Sequence, residues 1–489
     1  MSCSNGLEGV QLSDICCAAE CETCGGAGCS KRPGGKSSCC TGNIVESGLM
    51  CSSSMVAPCI IDDDNDDEEG ATCSAPAVIH GRRNTGLDAI RTEVSFKILT
   101  FRLRFRLDLQ IESMSGSSSE PSPTSRSRHD DCGTVYTVSP DGNPMSLTEA
   151  MGLAGPGDII SLVDGLYREP IVTMNAGTET SPVVIKGGRG AVISAFSGNR
   201  DLMWDQKVVD IRHSWITLEG FTIDGHLNGL DVEEDYVDKC IWVEGQDAPT
   251  DLPIDGTTVK SSLIGFHVSD MYIHNCGMEC IRMRNFVTNA VIANNLIEDC
   301  GIYDFQYQFD GKIGEAVYIG TSSNQWTNGV GTRITNGPDE CNYNLVTGND
   351  ITPRGNECVD VKEGASFNVI ENNECEEQLD DKSGCYDSRG NDNTFRFNFG
   401  ANCLGAGIRL GGHVIDGFTY GVDNHVYGNR FENNGVGSIK AMQHPQGIIC
   451  ENTCSGDCEV REQGDDDEIE ESWMSDCPDN IPGVPFIDA

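Results

Sequence analysis

The sequence predicts an all-β protein, a right-handed parallel β-helix over residues 132–458 preceded by a small Cys-rich disulfide module at 1–61. Two periodic features predict the β-helix. Asn recurs in pairs five residues apart, flanking short β-prone segments, at Asn289/Asn294, Asn344/Asn349, Asn368/Asn373, Asn393/Asn398 and Asn424/Asn429. The first members of the last four pairs are separated by 24, 25 and 31 residues, and a repeat near that length with short strands marks a solenoid. Asn suits its corners because it tolerates left-handed backbone and its amide can bond the Asn of the next coil. The second feature is a column of aligned segments: ECIRMR (279–284), EAVYIG (315–320), ECVDVKEG (357–364), GCYDSRG (384–390), AGIRLGG (406–412) and GSIKAMQ (437–443). Their third residues, Ile281, Val317, Val359, Tyr386, Ile408 and Ile439, point inward, and the period of two turns their neighbours outward.

In chain order, ten of the 25 cysteines fall in the first 59 residues, a density that reads as a disulfide-stapled module rather than a zinc site, since the segment has no His. Residues 62–131 read as a linker region: an acidic run (Asp62 to Glu69), a stretch at 84–111 alternating apolar and basic residues, and a Ser/Pro-rich segment at 114–131. SLTEAMGLA (146–154) opens with a capping box, Ser146 and Glu149, and is expected to form a short helix over the open end of the core. Cys276 and Cys300 occupy equivalent positions one coil apart, as do Cys358 and Cys385. A coil spacing of about 4.8 Å puts each pair within disulfide reach, with stacked free thiols as the alternative. Residues 459–489 read as an acidic tail.

Charge narrows the partners. Asp and Glu number 76 against 33 Lys and Arg, a net charge of −43, which disfavours nucleic acid and anionic membrane surfaces. No apolar stretch is long enough for a membrane span. The opening MSCSNGLEGV has neither a basic nor an apolar leader region. The cysteines are the stronger signal, and an extracellular, monomeric protein whose true leader is missing is expected.

Against that acidity, the outward face of the strand column carries Arg282, Arg284, Lys362, Arg389, Arg409 and Lys440, with Asp360 and Asp387 among them. Such a stripe suggests a groove for a polyanion, although any one of these charges read alone is a solvated residue paired with a neighbouring Asp. Glu279, Glu315 and Glu357 head three successive strands, and stacked carboxylates repel unless protonated or bridged by a cation such as Ca²⁺. Long loops before and after the Glu315 strand hold Tyr303, Phe305, Tyr307, Phe309 and Trp326, most of them expected to pack on their own scaffold.

The run NECVDVKEGASFNVIENN, followed by DSRGNDNTFRFN and AGIRLGGH, resembles the alginate-lyase and chondroitinase-B family, polysaccharide lyase family six. The segment from Val135 to Gly187 is similar to that family's first coils. The resemblance implies Lys362 as the base, Arg389 as its assistant and Glu357 as a calcium ligand. The family's second Glu, two residues earlier, is Gly355 here, and Glu315 on the preceding coil is the expected substitute. Arg282, Arg284, Arg409, His413, Lys440 and Tyr318 are the expected substrate contacts. The implied activity is β-elimination on a uronate-containing glycan. Arg cannot shed its proton, so Lys362, with its pKa depressed by neighbouring cations, is the expected proton acceptor. A hydrolase using Asp360 and Asp387, a C5-epimerase, and a non-catalytic glycan-binding or wall-structural protein are the alternatives.

Overall fold

In the computed structural model, residues 133–462 and 472–478 are described, apart from 203–204, 247, 255–256, 309–312 and 328–334. The chain divides into two units, Met1–Asp131 and Cys132–Ala489. In the first, only an antiparallel pairing of Ile44–Val45 with Gly48–Leu49 is described. The proposed Cys-rich module and the 62–131 linker otherwise lie outside the described residues.

The second unit is a right-handed parallel β-helix. Its chain passes in turn through three parallel sheets, of 11, 10 and 10 strands. The first begins at Val135–Val138, the second at Gly165–Tyr167 and the third at Ile171–Val172. The third sheet is the column seen in the sequence. Ile281, Val317, Val359, Tyr386, Ile408 and Ile439 are register partners from coil to coil, and all are buried. Inward residues from the three sheets form one continuous core. At its N-terminal end lies the helix Leu147–Leu153, with the Ser146 hydroxyl accepting from the Glu149 amide at 3.2 Å and Leu147, Ala150 and Met151 buried. The solenoid continues past Cys458: Val460–Glu462 is the last strand of the third sheet, Trp473 is buried in the core and Cys477 is bonded to Cys450. Part of the expected tail therefore belongs to the fold. No helix among the described residues is long and apolar enough to cross a membrane.

Asn side chains do form ladders, in a register that corrects two details. Asn295, Asn349, Asn373, Asn398, Asn429 and Asn452 make one ladder, so the member is Asn295 rather than Asn294. In the parallel ladder of Asn344, Asn368, Asn393 and Asn424, Ala290 stands where Asn289 was expected. The left-handed backbone falls on the residue ahead of the ladder position, at Tyr343, Phe367, Asn372, Phe397 and Asp423 among others, and not on the ladder Asn. Bulky residues in that conformation cost about 1 kcal/mol or more each, which the ladder bonds offset. Asn373 shows how: its amide donates to Val346 O and Asn398 Oδ1 at 2.9 and 3.0 Å, and its Oδ1 accepts from the side-chain and backbone nitrogens of Asn349. Asn373→Leu strands several fully buried partners and is expected to lower unfolding free energy by about 3 kcal/mol or more, read from the denaturant midpoint.

The cysteines also pair differently from the stacked expectation. Cys276 and Cys300 are register partners, but the disulfides are Cys240–Cys276, Cys280–Cys300, Cys358–Cys375 and Cys385–Cys403. Each joins the start of a third-sheet strand to the end of a second-sheet strand nearly one turn later. The bonded partner sits on the neighbouring coil at the corner between the second and third sheets, diagonal to the register partner.

Candidate functional site

The outward column of the third sheet runs Trp242, Arg282, Tyr318, Asp360, Asp387, Arg409, Lys440 in register. Lys362 and Arg389 follow their strands and lie side by side, because the Arg389 amide donates to Val361 O at 2.7 Å. Where the coils turn from the second sheet into the third, Glu279, Glu315 and Glu357 stand at successive corners. Of these, Glu279, Arg282, Glu315, Tyr318, Glu357, Lys362, Arg389 and Arg409 line a cleft of about 430 Å³ that also takes in Lys382, Ser383 and His413.

The charges of the stripe are paired. Asp360, fully buried, binds Lys362 Nζ through the same Oδ2 that accepts from Arg389 Nη2 at 2.9 Å. Lys362 Nζ also lies 3.4 Å from Glu315 Oε1 and 4.2 Å from the Tyr318 ring centroid. Asp387 accepts from Arg409 Nη1 at 2.6 Å and lies 3.8 Å from Arg389 Nε. Arg282 pairs with Glu279 and lies over Tyr318, so Glu279 is committed to a cation rather than to the other carboxylates. Glu357 accepts from Ser383 Oγ. His413, whose ring is 61% exposed at the cleft, is held through Nδ1 by the buried Glu363 at 2.5 Å. Arg284 is only 1% exposed and lies behind the cleft, 4.0 Å from Glu244. Lys440 donates to Lys382 O at 2.9 Å, outside the cleft lining.

Electrostatics overturn one expectation. Burial and Arg389 push the Lys362 pKa down, but Asp360, Tyr318 and Glu315 outweigh them and raise it well above the usual lysine value. Lys362 lines the cleft yet is 3% exposed, and its neighbours favour the ammonium form. Burial also raises the Asp360 carboxyl, but Arg389 and Lys362 prevail and hold it below the ordinary range. Glu357 moves the other way: burial, Asp360 and Glu315 push it up to about 8. Glu315 is likewise raised by burial.

Oxygens of Glu315, Glu357 and Asp360 lie within 4.8 Å of one another, and Asp360 Oδ1 is buried without a hydrogen-bond partner among the described residues. Three hard carboxylate oxygens with one orphaned acceptor fit Ca²⁺ in kind. Sequence reasoning does not place Asp360 in this carboxylate cluster, although its outward position two residues before Lys362 is the available signal. Gly355 has a steric cause: a Cβ there would meet Cys300 O at 2.4 Å and Gly314 O at 2.5 Å, so no side chain fits and the third carboxylate comes from Asp360. Of the loop aromatics, Tyr303 donates to Tyr236 O and Trp326 to Thr321 O, both on their own scaffold. Phe309 lies outside the described residues.

No family model and no curated protein matches the chain. Among solved structures it is similar to an alginate lyase from Paenibacillus sp. str. FPU-7, at 17% identity and TM-score 0.48 over 67% of this chain and 99% of that one. It is also similar to pectate lyase Pel9A, at 13% identity and TM-score 0.40 over 69% and 80%. A mannuronic acid specific polysaccharide family 6 lyase from human gut microbiota follows, at 17% identity and TM-score 0.36 over 70% and 72%. The fold itself rests on the three sheets described above.

Proposed function

We propose that the protein is an extracellular polysaccharide lyase that cleaves a uronate-containing glycan by β-elimination. The observation that carries this reading is the shared Asp360 carboxylate, which holds Lys362 and Arg389 side by side in the cleft next to Glu315 and Glu357. β-Elimination needs a base at C5 of the uronate, relief for the charge that develops on its carboxylate, and a proton for the departing oxygen. Lys362 takes the first role, Arg389 and Arg409 contribute to the second, and His413, oriented by Glu363, returns the proton. Glu315, Glu357 and Asp360 would hold calcium, which when bound adds to the charge relief at the uronate carboxylate. A cation held by Glu315 and Asp360 would weaken their hold on the Lys362 proton and so favour its role as base. The six disulfides among the described residues support an oxidising, extracellular setting.

The test is ultraviolet absorbance of the unsaturated uronate during incubation with alginate, polygalacturonate and chondroitin or dermatan sulfate, with Ca²⁺ and with chelator. A rise on one substrate is expected, and no rise on any removes the lyase reading. A second reading, hydrolysis, has one observation in its favour: Glu357 is held protonated up to about 8 beside an Asp360 held ionised, the split a general acid and its partner carboxylate require. New reducing ends without the chromophore would select it.

Calcium affinity is expected to rise with pH toward 8, because Glu357 must give up its proton to bind. In metal-free protein the sign is opposite for stability. A carboxyl whose folded pKa is raised destabilises the fold progressively from about pH 4.3, the unfolded value, up to about 8. Calorimetric titration in buffers of different ionisation enthalpy should show proton release on Ca²⁺ binding near neutrality. Pure heat of binding with no buffer dependence would remove Glu357 from the ligand set.

A further inference from the structure

A second recess lies on the corner that forms the candidate cleft, where the first three coils pass from the second sheet into the third. It encloses about 470 Å³ and is lined by Arg168, Ser194, Phe196, Arg200, Leu227 and Asn228. None of its lining residues is a carboxylate, in a chain whose net charge is −43. Arg168 is fixed in place, its Nη1 donating to Ser194 O at 3.1 Å and to Leu227 O. The Arg200 guanidinium lies over the Phe196 ring, 4.8 Å from its centroid.

Neither guanidinium has a carboxylate partner among the described residues. Arg282, Arg389 and Arg409 of the candidate cleft are all paired. The Asn228 amide is taken by Asp235 Oδ1 at 2.6 Å, so the two guanidiniums without a carboxylate partner, one anchored and one stacked on a ring, are what favours an anion here in an otherwise repelling field. An exposed aromatic edge with a fixed cation also suits a sugar bearing a carboxylate or sulfate.

We propose that this recess is a distal subsite for an anionic sugar of the glycan chain that the candidate cleft cleaves, an inference that rests on the glycan reading above. Arg200 precedes the strand Lys207–Ile211 and Glu357 precedes Val359–Val361, four coils further along the third sheet. At about 4.8 Å per coil the two recesses are roughly 19 Å apart along the axis, so one extended glycan must be several sugars long to fill both. The substrate is therefore an extended polyanion gripped at a distance from the cut, and short oligomers use the cleft alone.

The experiment compares the full chain with Arg200→Glu, an exposed position, by calorimetric titration with oligouronates graded in length and with inorganic sulfate. For the parent, affinity should step up once oligomers become long enough to span both recesses. Arg200→Glu should lose about ten-fold or more on the long oligomers and nothing on the short ones. If turnover intervenes, the same comparison is read as a KM that rises for long chains only, with kcat kept. Equal affinities of the two proteins for long oligomers, or no length dependence in the parent, would overturn the proposal. So would sulfate binding as tightly as the long oligomers, which would mark a simple anion site, and so would an absence of glycan binding. Arg200-dependent binding without any unsaturated product would leave the subsite standing and remove the lyase reading alone.

Discussion

Lys362→Arg is expected to fold as stably as the parent protein and to form unsaturated uronate about 10²–10⁴-fold more slowly. The two halves of this expected result have separate causes. Arg keeps the positive charge that Asp360 and Glu315 bind, so the buried pairing survives. Arg cannot shed its proton, so the base is lost. Lys362→Ala is the less informative change, since it leaves Glu315 short of a counter-charge and confounds stability with chemistry. His413→Ala in the same assay lowers kcat with KM little changed if it returns the proton, and raises KM alone if it only contacts the sugar. Circular dichroism and the denaturant midpoint establish the folded state of each variant. An active Lys362→Arg would keep the elimination reading and move the base to another residue of the cleft.

Asp360→Ala is expected to be the most damaging single change to stability in the third sheet, at about 3–5 kcal/mol. Asp360 is fully buried and is the common partner of Lys362 and Arg389, themselves nearly enclosed. Removing it leaves two cations facing each other, with only Glu315 and Asp387 at 3.4 and 3.8 Å to answer them. The same carboxyl has a depressed pKa, so its contribution is present above the unfolded value of about 3.9 and is lost as pH falls through its lower folded value. Urea denaturation near neutral pH measures the loss directly, and a difference within about 0.5 kcal/mol would mean that the pairing is not what holds these strands in place. The variant should also lose the steep acid limb of the parent's stability profile.

The register of the third sheet was legible from sequence because a period of two and a coil repeat near 24 residues act together: once Ile281 aligns with Val317, every outward residue is fixed. That logic brought Lys362, Arg389, Glu315 and Glu357 into one column before any coordinates. It could not see Asp360 as the hub, because a strand position says which way a side chain points and not which neighbour it chooses. The ladder was placed one residue off at Asn294 because two Asn adjoin there, one taking the left-handed turn and the other the ladder. The cysteine partners were hidden for a related reason. Sequence spacing reports the same sheet position one coil on, whereas the bonds formed pass from one sheet to the next at the corner between neighbouring coils.

Those corner bonds turn four stretches of the solenoid, 240–276, 280–300, 358–375 and 385–403, into covalently closed rings. A protease that nicks inside a ring leaves both fragments tied together. Between Cys300 and Cys358 no disulfide among the described residues spans the chain, and the cysteine that falls there, Cys341, is unpaired. Both long loops and the strand bearing Glu315 lie in that interval. Among the described residues, a single cut there would leave two pieces held together by non-covalent contacts alone, with Glu279 and Arg282 on one side and Lys362 and Arg389 on the other. The cleft is thus assembled across a covalent seam, and digestion followed by non-reducing electrophoresis would map it.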